Sequence, residues 1–298
     1  MGRVAALVCL LLAFPGTALA QAVKVAVSIH PLALLVQEVG GDRVTVTTLL
    51  KPGVSPHGFE PSPAQVRGLS GADLFVSVGA GLDPWAERMA TAVRKGRPHL
   101  ILAGHVPLRG AADEPDHGEG AGHDHAEGDP HFWLDPVLVR DQVVPALAVA
   151  LTQVAPGHGA EFARRAGELA TRLSGLNDEI ARALAPFAGG AFVAFHGPWA
   201  YFAERYGLNQ VAVVEPIPGR EPSARWMMQV VTAARRAGAR AVLIEPQFNP
   251  RAAYTVAGQF HGRVVTVDEI GMPGTVSGAS YAALMRFNTA AFVEALGP

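Results

Sequence analysis

The chain is predicted to fold as an α/β protein: two lobes with mostly parallel sheets, joined by a single long helix. Three observations predict it. Eight short, evenly apolar runs alternate with longer helical patterns, the mark of parallel strands covered by helices. The runs fall into two groups of four, one before residue 105 and one after residue 190. About 85 residues between the groups carry no strand signal. The size agrees, since 298 residues correspond to about two domains. A hydrophobic content of 49% against 17% charged residues excludes disorder as the dominant state.

Residues 1–20 read as a secretory signal peptide. Arg3 supplies the positive start, an apolar run follows, and Ala18-Leu19-Ala20 forms the cleavage site before Gln21. Cys9, the one cysteine, lies inside this segment, so the mature chain has no disulfide partner and any metal site must use histidine and carboxylate. The longest later apolar run, residues 143–155, is interrupted by Pro145 and Gln153 and is read as too short for a membrane span. These features predict a soluble periplasmic protein.

Residues 21–155 are predicted to form the N-terminal lobe, with strands at 23–28, 44–49, 74–78 and 99–102. Ser62-Pro63-Ala64-Gln65 offers an N-cap, a first-turn proline and a reciprocal capping glutamine. Asp83-Pro84 and Asp135-Pro136 repeat the cap-then-proline pattern, as does Asn249-Pro250 later in the chain. Residues 156–187 are predicted to be the linking helix, set off by Gly157 and stopped by Pro186 and Gly189-Gly190. Residues 188–298 form the C-terminal lobe, with strands at 191–195, 211–214, 241–244 and 264–267. No sequence repeat relates the lobes.

One stretch breaks the alternation. Residues 104–130 hold His105, His117, His123 and His125 among seven acids, with too few apolar residues to pack. Polar histidine-rich tracts of this kind bind transition metals weakly and adaptably. The net charge of −2 shows no basic excess, so nucleic-acid binding is not expected. No H-E-x-x-H helix, G-x-S-x-G elbow or phosphate-binding loop is present, so an enzyme is not expected.

In open α/β sheets, ligands bind beyond the carboxyl ends of the strands. Four metal-capable side chains fall there or beside the histidine-rich loop: His57, His131, His196 and Asp268. Three imidazoles and a carboxylate make a tetrahedral set suited to Zn²⁺, two from each lobe.

The surrounding motifs resemble a known family. Pro56-His57-Gly58-Phe59-Glu60-Pro61-Ser62-Pro63, Asp129-Pro130-His131-Phe132-Trp133-Leu134-Asp135-Pro136 and Phe195-His196 with Tyr201–Leu208 are similar, in order, to three metal-ligand motifs of the zinc/manganese solute-binding proteins of ABC importers. Glu215-Pro216 with Glu221-Pro222-Ser223 resembles the loop after the third, and Val267-Asp268 the fourth ligand position. The charged histidine-rich insertion resembles that of the zinc-specific, ZnuA-type members. The resemblance implies a metal held between two lobes by His57, His131, His196 and Asp268, and delivery by a monomer to an ABC permease and its ATPase. It implies Zn²⁺ rather than Mn²⁺, because the third ligand is an imidazole and not a carboxylate. A manganese-binding member and a secreted zinc hydrolase are the alternative readings.

Two departures stand out. Asp268-Glu269-Ile270-Gly271 replaces the usual Asp-Pro-Leu-Gly, which leaves the fourth ligand open between Asp268, Glu269 and a water. Gly197-Pro198-Trp199 follows the third histidine in place of the commoner residues. Glu215 and Glu221 are candidates to balance the charge of the bound ion. Trp133 and Trp199 are expected near the ligands, limiting water entry, and His30 at the cleft edge.

Overall fold

The computed structural model describes residues 22–93, 97–110, 128–217 and 219–298. The first sheet holds β1 (Val23–Val27), β2 (Val44–Thr48), β3 (Leu74–Ser77) and β4 (His99–Ile101) in the order β2-β1-β3-β4. The second holds β5 (Ala191–Ala194), β6 (Asn209–Val213), β7 (Ala241–Ile244) and β8 (Arg263–Thr266) in the order β6-β5-β7-β8. Every pairing is parallel; Val25 faces both Val46 and Leu74, and Val193 faces Val242. Each sheet reverses its strand order between its first and third strands, which opens a crevice at their carboxyl ends.

All eight predicted strands form, all but β7 ending one residue sooner than expected, and β6 begins two residues early. Burial on both faces holds for the inner strands β3, β5 and β7, which are wholly buried. It fails for β2, which exposes Thr45 and Thr47, and for β8, which exposes Arg263 and Thr266. These are edge strands with one face left uncovered, so the Val-Thr-Val-Thr of β2 turns its threonines outward.

Ten helices lie among the described residues. In the first half are α1 (His30–Gly40), α2 (Pro63–Leu69), α3 (Pro84–Val93), α4 (Pro136–Leu138), α5 (Val144–Val154) and α6 (Gly159–Leu184). In the second are α7 (Ala200–Arg205), α8 (Ala224–Ala237), α9 (Arg251–Gln259) and α10 (Tyr281–Leu296). The capping box of α2 forms as expected: Gln65 N donates to Ser62 Oγ at 3.4 Å and Ser62 N donates to Gln65 Oε1 at 2.9 Å. Asp135 caps α4 by accepting from Val137 N and Leu138 N.

Asp83 does not cap α3. Its carboxylate turns back to accept from Val78 N and Gly79 N at 2.9 and 2.8 Å, because the tight turn after β3 leaves those donors buried and without a ladder partner. Asn249 accepts from Arg251 N, so α9 starts one residue later than its proline suggests.

α4 runs through a π-turn (Val139–Val143) into α5. Pro145 lacks an N–H and crowds the carbonyl four residues back, which places the irregularity just before it. The resulting Pro136–Val154 helix is, by length and a mean hydropathy of 1.4, apolar enough to cross a membrane, contrary to the reading of residues 143–155 alone. It starts seven residues ahead of that run, and α5 packs against α1 and α6 as a core helix.

α6 has 26 residues and spans about 39 Å. Phe162, Ala166, Leu169, Leu173, Leu176, Ile180 and Leu184 form a buried stripe at helical spacing. One edge meets α1 and α5, and the other meets α10. The main core therefore continues from the first sheet across α6 to Trp199, Phe202 and Phe292, with Phe192 of β5 edge-on to Phe292. A smaller core fills the other face of the second sheet beneath α8 and α9.

Candidate metal centre

The crevice between the sheets brings three histidines together. His57 sits on a single turn (Pro56–Gly58) beyond β2. Trp85 Nε1 donates to the Pro56 carbonyl at 3.2 Å and Phe59 packs edge-on to the Trp85 ring, so the turn is anchored to α3 while His57 stays half-buried. His131 opens the turn Phe132–Leu134 and is buried. His196 lies two residues past the end of β5, is buried, and rests against the Phe248 ring. One ring nitrogen from each lies within 4.8 Å of the others.

His57 Nε2 and His131 Nε2 are 3.4 Å apart. Zinc–nitrogen bonds of about 2.0–2.1 Å in a tetrahedron give edges of about 3.4 Å between ligand atoms, so the spacing fits that ion. The three rings meet at centroid distances of 4.9–5.4 Å, as converging imidazoles must.

Neighbouring groups orient these rings, and sequence reading missed most of them. Asp129 Oδ1 accepts from His131 N at 2.9 Å and pairs with His131 Nδ1 at 2.8 Å. That holds the proton on Nδ1 and leaves Nε2 as the donor. Tyr201 of α7 donates to the Asp129 carbonyl at 2.8 Å and accepts from Arg109 N at 2.9 Å. Burial pushes the Tyr201 phenol up to about 12, so it remains a donor. Arg205 grips both oxygens of Asp135 at 2.8–3.0 Å. Trp133 Nε1 donates to the Glu269 carbonyl and Tyr281 donates to the Trp133 carbonyl. The His131 segment is thus bonded chiefly to the C-terminal lobe, although its chain position suggested two ligands from each lobe. The one local signal was the Asp129-Pro130-His131 spacing.

Asp268 does not join the histidines. It is buried, but Oδ1 accepts from Ile270 N and Gly271 N at 3.1 and 2.8 Å, and Oδ2 accepts from the Ser277 hydroxyl at 2.6 Å. Asn288 bonds its peptide N–H and carbonyl. Glu269 is completely buried: Oε1 accepts from Gln247 Nε2 at 2.8 Å, while Oε2 has no hydrogen-bond partner and lies 3.7 Å from His196 Nδ1. Behind it, Glu245 accepts from Trp199 Nε1 at 2.9 Å.

Burial pushes the Glu245 carboxyl up to about 8, with repulsion from Asp268 and Glu215 adding to it. Burial, followed by Glu245 and Asp268, raises Glu269 as well. A dication held by the imidazoles favours the ionised form of such acids.

None of the remaining candidates among the described residues joins the cluster of three histidines. Glu215 is buried but accepts from Gly219 N at 2.5 Å, closing its own loop, and Glu221 is exposed. His105 is exposed on the turn Leu102–His105. His117, His123 and His125 lie outside the described residues, as does the segment 1–20. His30 bonds the Gly278 carbonyl across the cleft at 2.9 Å; Trp133 is fully buried with its ring 5.3 Å from that of His131, as expected, and Trp199 is fully buried.

Comparison with known proteins agrees with this geometry. Residues 25–295 match the family described as zinc-uptake complex component A, periplasmic, or ZnuA. The chain is 30% identical to the high-affinity zinc uptake system protein ZnuA of Paracoccus denitrificans, over 93% of each chain. It is 28% identical to the zinc-binding protein AdcA of Streptococcus pyogenes over 79% of its own length, and spans about half (48%) of that longer relative. A crystal structure of ZnuA superimposes with a TM-score of 0.79 at 28% identity, covering 93% of this chain and all of the other.

Proposed function

We infer, from a chain that belongs to the family of periplasmic zinc-uptake components, that it captures Zn²⁺ between its lobes and delivers it to an ABC permease driven by an ATPase. The observation that carries this reading is the convergence of His57, His131 and His196 within 4.8 Å, with the His57 and His131 nitrogens at the spacing of a tetrahedral edge. Zinc here is cargo. His131 and His196 are buried and His57 is half-buried, so the ion would be enclosed yet reachable from the His57 side.

The ligand chemistry supports zinc over manganese. Three imidazoles suit the borderline ion, and divalent affinities rise from manganese toward zinc. Capture weakens in acid, because a protonated imidazole cannot bind. The function needs no catalytic step. The apolar start of the chain, with Arg3 and Ala18-Leu19-Ala20, supports export to the periplasm through a cleaved signal. The protein would act as a monomer, each lobe keeping a face for the permease.

The test is a zinc titration of the chelator-stripped protein, with manganese in competition. One tight zinc site, lost when His131 or His196 becomes alanine, is the expected result. Tight manganese with weak zinc would refute it.

A further inference from the structure

Three neutral imidazoles leave the charge of a dication uncompensated, and a buried charge needs an opposite one close by. Four carboxylates lie near enough to consider. Both Asp268 oxygens are spent on Ile270, Gly271 and Ser277. Asp129 serves His131, while Glu245 accepts from Trp199 through one oxygen and keeps the other buried without a hydrogen-bond partner. Glu269 adds to such a free oxygen a position against a ligand imidazole. Gln247 holds one oxygen, Trp133 holds its peptide carbonyl, and the other oxygen is buried without a hydrogen-bond partner, 3.7 Å from His196 Nδ1.

The pair repeats, in looser form, the Asp129–His131 contact at 2.8 Å. A carboxylate behind a metal-binding histidine fixes which ring nitrogen carries the proton and strengthens the other as a donor. Resting on the zinc reading, we propose that Glu269 is the positioning carboxylate of His196: Oε2 receives Nδ1–H, Nε2 is turned to the ion, and the negative charge offsets the dication. Asp268 instead staples the loop from 268 to 277.

The experiment uses the full mature chain, stripped of metal, with Glu269→Gln, Glu269→Ala and Asp268→Asn. Zinc affinity is read by competition with a chromophoric chelator. Nitrogen NMR of the zinc-loaded protein reads the His196 tautomer, which a merely structural role would not move. Glu269→Gln is expected to weaken zinc about 10–100-fold and to shift the His196 Nδ1–H resonance, with Glu269→Ala weaker still. Asp268→Asn is expected to lower the melting temperature of the metal-free protein by about 5 °C, with zinc affinity held within about threefold.

Glu269→Gln binding zinc like the parent, or Asp268→Asn losing zinc at unchanged melting temperature, would overturn the assignment. A parent protein with no tight zinc site would defeat the zinc reading itself. A tight site lost in His196→Ala but unmoved in Glu269→Gln would defeat only the role of Glu269. Glu269→Gln keeps the volume and the Gln247 contact, so the test survives if the alanine variant fails to fold.

Discussion

The two lobes share one sheet order and differ almost completely in what they put at the ends of their strands. In the C-terminal lobe each strand runs into a titratable group: His196 after β5, Glu215 after β6, Glu245 after β7, and Asp268 with Glu269 after β8. In the N-terminal lobe the positions at the same distances past the strand ends are Ile29, Leu50, Val78 and Ala103, none of them titratable, and the metal-capable His57 sits farther out on a half-buried turn. The same parallel frame thus puts titratable groups at the strand ends on one side of the cleft and uncharged ones on the other. Topology fixes where a ligand can bind; the residues at the strand ends decide which.

The comparison predicts unequal ligands. Alanine at His131 or His196 removes a buried donor, and zinc affinity should fall by more than about 100-fold. His57→Ala should cost about tenfold less, since solvent can reach that side and supply a water ligand. Equal losses in the same chelator competition would break the asymmetry.

Arg205→Ala tests the bonding of the His131 segment to the C-terminal lobe. It leaves the buried Asp135 carboxylate with only its two helix-capping bonds, and the unfolding free energy should drop by about 1–2 kcal/mol in denaturant titration. No change would mean that the segment belongs mechanically to its own half of the chain.

The titratable side of the cleft also has a pH signature. Glu245 is raised in the folded state to about 8, from an ordinary value near 4.5. The folded metal-free protein therefore holds this proton more tightly than the unfolded chain. Its contribution is full in acid, below the unfolded value, and is lost as pH rises through about 8. Melting of the metal-free protein at about pH 5.5, 7 and 8.5 should show stability declining upward, and Glu245→Gln should flatten that slope.

The smallest effect is expected from deleting residues 113–127. Asp129 N donates to the Arg109 carbonyl at 2.8 Å, so the two ends of that stretch are already clasped. One tight zinc site should survive, with any loss confined to weaker additional ions counted at higher metal concentration.

Much of this was readable from sequence because the signals were local. Buried parallel strands are runs of Val, Ile, Leu, Phe and Ala, and the Ser62–Gln65 box lies within four residues. His57, His131 and His196 stood out because each lies beyond a strand or beside the histidine-rich loop. The supporting groups did not, because their roles depend on elements distant in sequence. Glu269 meets His196 across 73 positions, and Tyr201 reaches Asp129 across 72. Asp83 was misread because its carboxylate can serve the helix ahead or the turn behind, and the buried donors after β3 decide in favour of the turn.

The apolar core that continues through α6 from the first sheet to Phe192 and Phe292 has a thermodynamic consequence. Two sheets that share one hydrophobic interior cannot melt separately without exposing the stripe on α6. Calorimetry should show a single endotherm whose van't Hoff and measured enthalpies agree. A chain cut within α6 should yield two fragments that aggregate alone and regain structure only when mixed.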